Sequence, residues 1–129
     1  MSSQLPKISV VTPTFNRCDE LEHLIYSINN QTLECKYFEL IICDDGSTDG
    51  TEKTIKNLQK NVEFNLKYIF QKNSGPGIAR NNGVQNAIGE LIIFTDSDCE
   101  AEKNWLKNIY NSYLNGDFDA FGGPDLAKD

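Results

Sequence analysis

The segment LIICDDGSTDGT, residues 40–51, passes from a continuously apolar run into a run of acidic and turn-forming residues. The same change occurs in VVTPTFNR, residues 10–17, and in LIIFTDSDC, residues 91–99. Strands that are apolar without alternation are typical of parallel sheets whose two faces are both covered by helices. The three segments therefore predict an α/β protein whose polar residues gather at the carboxyl ends of parallel strands, where such sheets bind ligands.

Further β-rich runs, and apolar residues at helical spacing, complete a βαβαβαβαβ order. We predict strands at Lys7–Thr12, closed by Pro13, and at Phe38–Cys43, Leu66–Phe70, Leu91–Thr95 and Phe118–Phe121. Four helices are predicted: Asp19–Asn30, one that begins at Asp49 or Thr51, Gly77–Ala87, and one in the region Trp105–Leu114. In the third helix, Ile78, Val84 and Ala87 are expected on one side. We expect a mostly parallel, twisted sheet flanked by helices, in one domain over residues 7–129 that follows a disordered lead at residues 1–6.

Composition excludes several classes of protein. The chain has 129 residues, with 12 basic and 19 acidic side chains and a formal net charge of −7. That charge argues against nucleic-acid binding, which needs a basic surface, whereas a diphosphate could still bind through an intervening cation. No apolar run approaches the ~20 residues of a membrane helix, and the N-terminus lacks the apolar region of a secretory signal. The four cysteines form no C-x-x-C pair, so we expect reduced thiols in a cytoplasmic protein and no zinc site.

Four carboxylates, those of Asp44, Asp45, Asp96 and Asp98, follow the second and fourth predicted strands and should converge at one edge of the sheet. Converging carboxylates repel unless a cation lies between them or one of them is protonated. The spacing of Asp96 and Asp98 suits a hard ion such as Mg²⁺ or Mn²⁺. Turns and helix caps are the alternative for both acidic pairs. In DDGSTDGT we expect a turn together with either Asp44 or Asp45 facing a ligand.

The segment GPGIARNNG, residues 75–83, is rich in glycine and begins a predicted helix. Gly75 and Gly77 permit close approach of a ligand to the backbone, and Arg80 can contact a phosphate through two parallel hydrogen bonds. The segment matches neither the dinucleotide fingerprint G-x-G-x-x-G nor a P-loop. A solvated charge on the helix surface is the alternative for Arg80.

Four motifs, ISVVTPTFNR, LIICDDGSTDGT, NSGPGIARNNG and LIIFTDSDC, occur in an order that resembles the N-terminal half of a family 2 glycosyltransferase over Ile8 to Pro124. The resemblance implies a Rossmann-like GT-A fold, cut after the fifth strand, and inverting transfer of a sugar from a nucleotide-diphosphate sugar, with a UDP-sugar favoured. By the same resemblance, the base and ribose would be lined by Pro13, Thr14 and Asn16 or Arg17. Asp45 would hydrogen-bond the base, Arg80 would lie near the base or diphosphate, Asp98 would bind Mn²⁺ or Mg²⁺, and Asp96 would contact the ribose or a metal-bound water.

The resemblance also implies what this stretch lacks. The family's general base is expected beyond Asp129, since Asp117, Asp119 and Asp125 come too early, so we expect this chain to bind donor with little or no transfer. Gly122–Pro124 would lie near an unknown acceptor, a glycan or a lipid-linked sugar, and the full-length enzyme could work at the inner face of the membrane. Two alternatives are a non-catalytic nucleotide-binding module and a receiver-like signalling domain, for which Lys128 is too distant from the last strand.

Overall fold

A computed structural model describes residues 6–116, in which a parallel sheet is flanked by helices. The strands are β1 Ile8–Thr14, β2 Phe38–Asp44, β3 Asn65–Phe70 and β4 Leu91–Phe94; the α-helices are α1 Cys18–Asn29, α2 Thr51–Gln59, α3 Pro76–Gln85 and α4 Trp105–Leu114. A short 3₁₀ helix at Cys35–Tyr37, which the sequence did not predict, precedes β2. The predicted α/β class and each predicted element before residue 117 are confirmed, with boundaries that shift by one or two residues. Residues 1–5 of the expected lead, the fifth strand at Phe118–Phe121 and the Gly122–Pro124 segment lie outside the described residues.

The sheet has the order β3-β2-β1-β4, with every neighbouring pair parallel. Its register places Ile8 beside both Phe38 and Leu91, so the amino ends of the three strands are level. At the other end, Thr14 lies opposite Asp44. The polar segments that follow the strands therefore meet at one edge, as predicted.

The path of the chain decides which face each helix covers. The chain adds β2 and β3 on one side of β1 and then crosses back to place β4 on the other side. Because crossovers between parallel strands are right-handed, this reversal puts α3 on the face opposite α1 and α2. It also creates a crevice beyond the carboxyl ends of β1 and β4, at the switch point where such sheets bind ligands.

Two hydrophobic clusters follow from this layout. Val10 belongs to the larger one, together with residues of α1, α2 and α4, whereas its neighbour Val11 belongs to the smaller one beneath α3. Consecutive strand residues point to opposite faces, so one strand serves both clusters. The larger cluster includes Ile8, Leu21, Leu24, Ile25, Ile28, Phe38, Leu40, Ile42, Ile55, Ile93 and Leu106, none more than 1% exposed. Each such side chain stabilises the fold by roughly 1.5–3 kcal/mol relative to exposure.

The face of α3 that meets the sheet carries small residues. Of the three residues predicted for one apolar side, Ala87, beyond the end of α3, packs against the smaller cluster, whereas Ile78 and Val84 do not. Ile78 is 50% exposed and Val84 is 36% exposed, whereas Ala79 is fully buried. A Cβ atom at Gly83 would lie 2.6 Å from Cys43 Sγ and closer still to Val11 Cγ1. The helix thus lies so near the sheet that a side chain at position 83 has no room.

β1 continues through Pro13, so the prediction that Pro13 closes this strand is also wrong. Thr95 N–H donates to the Val11 carbonyl and Asp45 N–H donates to the Thr14 carbonyl, so residues of β1 face β4 and β2 alternately. Pro13 falls on the β4 side, beyond Phe94, where β4 ends. Its missing N–H removes no bond from the sheet, and the strand extends to Thr14.

Candidate functional site

A cleft of about 460 Å³ opens at the carboxyl edge of the sheet. Its lining residues are Pro13, Thr14, Phe15, Arg17, Asp45, Pro76, Arg80, Asp96, Ser97 and Asp98. All of the predicted site residues line it except Asn16 and Asp44. Sequence reasoning missed Phe15, Pro76 and Ser97, although each of them stands within a polar segment that follows a strand.

Asp45 is the acidic residue after β2 that reaches the cleft, and it is held from several directions. Its Oδ1 accepts hydrogen bonds from Ser74 N–H at 2.6 Å and from Gln71 Nε2 at 2.9 Å, and its Oδ2 accepts one from Gly75 N–H at 3.0 Å. Gly75 has a φ of +105°, a conformation that favours glycine. Burial alone would raise the pKa of Asp45, but the hydrogen bonds from Ser74, Gln71 and Gly75 outweigh it and lower the pKa. The carboxylate therefore remains charged while it fixes the start of α3.

Asp44 is fully buried and lies outside the cleft lining. Its Oδ2 accepts a hydrogen bond from the Tyr68 hydroxyl at 2.5 Å, and its Oδ1 accepts one from Ser47 N–H at 2.9 Å. Burial, followed by this hydrogen bond and the charge of Asp44, raises the pKa of Tyr68. The geometry gives Asp44 a structural position, where it stabilises the turn after β2.

Asn16 joins the loop after β1 to the loop after β2. It has a φ of +52°, in the left-handed region that asparagine tolerates better than most residues. Its N–H donates to Ser47 Oγ at 2.8 Å, and its Oδ1 accepts a hydrogen bond from Thr48 N–H at 2.8 Å. Asn16 thus links the two loops through its backbone N–H and its Oδ1, and it places Phe15 and Arg17 on either side of it at the cleft.

Asp49 makes a second link between the same two loops. Its Oδ2 accepts a hydrogen bond from Cys18 N–H at 3.1 Å, and its Oδ1 accepts hydrogen bonds from the backbone and hydroxyl of Thr51. Burial tends to raise the pKa of Asp49, but these bonds, Thr51 hydroxyl first, lower it overall. A charged carboxylate is therefore shared between the first residues of α1 and α2, where helix N-termini favour negative charge.

Asp96 and Asp98 lie together on the turn that follows β4, and Cys99 joins them. The carboxylate oxygens of the two aspartates and Cys99 Sγ all lie within 4.8 Å of one another. Both aspartates are exposed, whereas Cys99 is half-buried and its N–H donates to the Asp96 carbonyl at 3.2 Å. Two carboxylates on one turn fit the oxygen-rich coordination that Mg²⁺ and Mn²⁺ require. Cys99 is not among the residues that line the cleft.

Two guanidinium groups, those of Arg17 and Arg80, line the same cleft as these carboxylates. Arg17 Nη1 lies 3.7 Å from Glu20 Oε2 in an exposed pair, which costs little to break. Within residues 6–116, Arg80 is half-buried and has no ion-pair partner. Both cations are therefore available to an anionic ligand.

Thr14 adds an unpaired polar group to the cleft lining. It is 4% exposed, and among the described residues its Oγ1 has no hydrogen-bond partner. A buried hydroxyl without a partner costs on the order of 1–3 kcal/mol. A bound ligand at this position would remove that cost.

A cleft with three carboxylates and two guanidiniums, at the switch point of a parallel sheet, is typical of α/β domains that bind nucleotides. The chain belongs to glycosyl transferase family 2, whose sequence profile matches residues 9–125. The family and the GT-A fold predicted from the four motifs are therefore confirmed. A receiver-like signalling domain is excluded by the same match.

Known proteins support this membership along most of the chain. It is 38% identical, over 97% of its length, to GalNAc(5)-diNAcBac-PP-undecaprenol beta-1,3-glucosyltransferase of Campylobacter jejuni, of which it covers 40%. It resembles S. aureus TarS 1-349 in complex with UDP-GlcNAc, with a TM-score of 0.79 and 33% identity over 84% of this chain and 31% of that one. Mannosyltransferase PcManGT from Pyrobaculum calidifontis, in complex with GDP-Man and Mn²⁺, gives a TM-score of 0.77 and 25% identity over 82% of this chain and 32% of that one. The chain spans less than half the length of these relatives.

Proposed function

We propose that this chain is the donor-binding part of an inverting glycosyltransferase and that its cleft holds a nucleotide-diphosphate sugar, with a UDP-sugar favoured. The single observation that carries the proposal is the convergence of Asp45, Arg80 and the Asp96–Asp98 pair on one cleft at the switch point. TarS, to which this chain is similar, has been solved with UDP-GlcNAc. The proposal extends that donor class to this cleft.

The proposed divalent metal, Mn²⁺ or Mg²⁺, is held by Asp98, with Asp96 beside it as a ligand or as a contact to the ribose or to a metal-bound water. Their exposed carboxylates lie on one turn, close enough to share an ion. When bound, the metal neutralises the charge that develops on the departing diphosphate. The similar mannosyltransferase was solved with Mn²⁺, which supports the choice of ion.

The remaining lining residues orient the nucleotide. Asp45 contacts the base through a carboxylate that Ser74 and Gly75 already hold in place, so little conformational freedom is lost on binding. Pro13 and Thr14 line the base and ribose, while Arg80 and Arg17 lie beside the diphosphate, where a guanidinium can make two parallel hydrogen bonds. Asn16 acts by positioning this loop, and Asp44 supports the turn that carries Asp45.

The acceptor is proposed to be a glycan or a lipid-linked sugar. The Campylobacter relative is named for an undecaprenol-diphosphate-linked substrate, which supports the lipid-linked alternative. No helix within residues 6–116 is long and apolar enough to cross a bilayer. All four cysteines are free thiols, which supports a cytoplasmic setting, with a lipid-linked acceptor met at the inner face of the membrane.

Calorimetric titration of UDP, GDP and dTDP into the chain, with and without Mn²⁺, tests the proposal. We expect UDP to bind most tightly and only with the metal, and Asp98→Asn to weaken binding by about tenfold or more, on the order of 1.4 kcal/mol. Glu34→Gln removes one exposed charge before β2 and should leave binding unchanged. UDP binding that needs no metal, or that survives Asp98→Asn intact, would contradict the proposal. A radiolabelled UDP-sugar assay then separates a transferase from a module that only binds nucleotide.

A further inference from the structure

Gln71 and Asn82 connect α3 to the carboxylate of Asp45 without lining the cleft themselves. Gln71 Nε2 donates to Asp45 Oδ1 at 2.9 Å, and Gln71 Oε1 accepts a hydrogen bond from Asn82 Nδ2 at 2.5 Å. Both side chains are half-buried, and neither is among the described residues that line the cleft. The two side chains thus form a relay that ends on Asp45, which does line the cleft.

The direction of this relay follows from the charge of Asp45. An ionised carboxylate can only accept hydrogen bonds, so the Gln71 amide must turn its Nε2 toward Asp45 and its Oε1 toward Asn82. The Gln71 backbone is fixed independently, because its N–H donates to the Asp44 carbonyl at 2.9 Å. The side chain of Asn82, on α3, therefore decides which end of the Gln71 amide faces Asp45.

The other short hydrogen bonds to the Asp45 carboxylate come from the backbone. Ser74 N–H and Gly75 N–H donate to Oδ1 and Oδ2 at 2.6 and 3.0 Å, whereas Asn73 Nδ2 lies 3.4 Å from Oδ2. These backbone donors hold the start of α3, and they would remain in a variant that lacks the relay. Loss of the bond from Gln71 would leave the backbone of α3 in place and free the Asp45 carboxylate to turn.

We propose that Gln71 and Asn82 are positioning residues that hold the Asp45 carboxylate as a hydrogen-bond acceptor for the base, so that the cleft prefers uracil to cytosine. This inference rests on the proposed function, in which Asp45 contacts the base of the donor. Uracil carries an N3–H that can donate to a carboxylate, whereas N3 of cytosine has no hydrogen and is itself an acceptor. A carboxylate that stays charged and in place stabilises the first base and repels the second.

Calorimetric titration of UDP and of CDP into the chain, both with Mn²⁺, tests the relay. Asn82→Asp places a group that only accepts beside Gln71, which should turn the Gln71 amide so that its Oε1 faces Asp45. We expect this variant to weaken UDP binding by about tenfold, the lower end of what a hydrogen bond to a charged group contributes, and to change CDP binding by less than about twofold. Gln71→Leu removes the donor itself and should have the same effect. Asn81→Asp is the matched control, because it adds the same charge at the neighbouring, exposed position of α3; it should leave the ratio of UDP to CDP affinity unchanged.

The ratio of the two affinities is the measured quantity, because a variant that merely distorts the cleft would weaken both nucleotides together. If folded Asn82→Asp and Gln71→Leu keep the wild-type ratio, whether or not binding weakens, the relay is wrong and the proposed function stands. A wild-type chain that binds neither nucleotide would overturn the proposed function and this inference with it.

A second measurement uses the wild-type chain and applies even if both variants are unfolded by circular dichroism. In an ¹⁵N-labelled chain, UDP with Mg²⁺ should shift the side-chain amide signals of Gln71 and Asn82. The signal of Asn61, whose Nδ2 donates to the Asn57 carbonyl of α2, should stay in place. Bound UDP without a shift at Gln71 and Asn82 would overturn the relay and leave the proposed function standing.

Discussion

Replacing Gly83 with alanine tests how closely α3 packs on the sheet. The added Cβ would lie 2.6 Å from Cys43 Sγ and closer to Val11 Cγ1, and both neighbours are fully buried. Carbon atoms in a core prefer separations of about 3.5–4.0 Å, and a β-branched valine in a strand has little freedom to rotate away. The helix or the strand must therefore move.

The two opposing effects can be compared in magnitude. Alanine favours a helix interior over glycine by about 1 kcal/mol. Overpacking a core costs about 1–3 kcal/mol, and contacts this short belong at the upper end of that range. We expect Gly83→Ala to lower the free energy of unfolding by about 2 kcal/mol, which in a chain of this length lowers Tm by about 7 °C.

Urea unfolding followed by circular dichroism, with calorimetry for Tm, measures the effect. Gly77→Ala is the matched control on the same helix, because a Cβ at Gly77 would meet nothing within 4 Å; its stability should be unchanged or slightly higher. If Gly83→Ala proves as stable as the wild type, or matches Gly77→Ala, then the close approach of α3 to Val11 and Cys43 is wrong.

Asp45→Asn should lower the free energy of unfolding by about 1–3 kcal/mol, because an amide N–H₂ would face donors that now bind a carboxylate. Urea unfolding measures this free energy, and an unchanged value would contradict the hydrogen bonds to Asp45. Because folding lowers the pKa of Asp45 from its ordinary value of 3.8, its contribution is full above that value and is lost as pH falls through the folded pKa. Hydrogen exchange at Gly75 N–H should accordingly show an additional opening at low pH that Asp45→Asn lacks. Lys67→Met should cost about 3 kcal/mol, since Lys67 Nζ lies 2.8 Å from an oxygen of the fully buried Glu39. Lys56→Met, in an exposed pair, should change the free energy of unfolding by less than about 0.5 kcal/mol. Equal effects of the two variants would contradict a larger contribution from the pair that contains buried Glu39.

The sheet and its polar edge could be predicted because long apolar runs and turn-forming residues report directly on strands and their ends. The packing face of α3 could not, since hydrophobic patterning ranks Ile78 and Val84 above Ala79 and Gly83, and only the distance to the sheet reverses that order. The prediction that Pro13 ends β1 was wrong for a related reason. Whether a proline ends a strand depends on which neighbour its missing N–H would face, and the sequence does not show where β4 ends.

The candidate site was predicted to the level of the segment but not always to the side chain. Asp44 and Asp45 are adjacent at the end of β2, and only the side chain of Asp45 lines the cleft. The sequence alone did not show which of the two would face a ligand. Asn16 lies in the loop after β1 but outside the cleft lining, and its hydrogen bonds are to Ser47 and Thr48.

Paramagnetic broadening by Mn²⁺ in the presence of UDP tests most directly whether a metal and nucleotide bind at the carboxyl edge. In an ¹⁵N-labelled chain, we predict loss of amide signals around Asp96, Asp98 and Arg80. A seven-residue strand such as β2 spans about 20 Å, so amides near Lys36 and Asn65, at the opposite edge, should keep most of their intensity. Asp98→Asn should restore the lost signals. Broadening centred on the amino edge, or spread evenly over both edges, would contradict a metal–nucleotide site in this cleft.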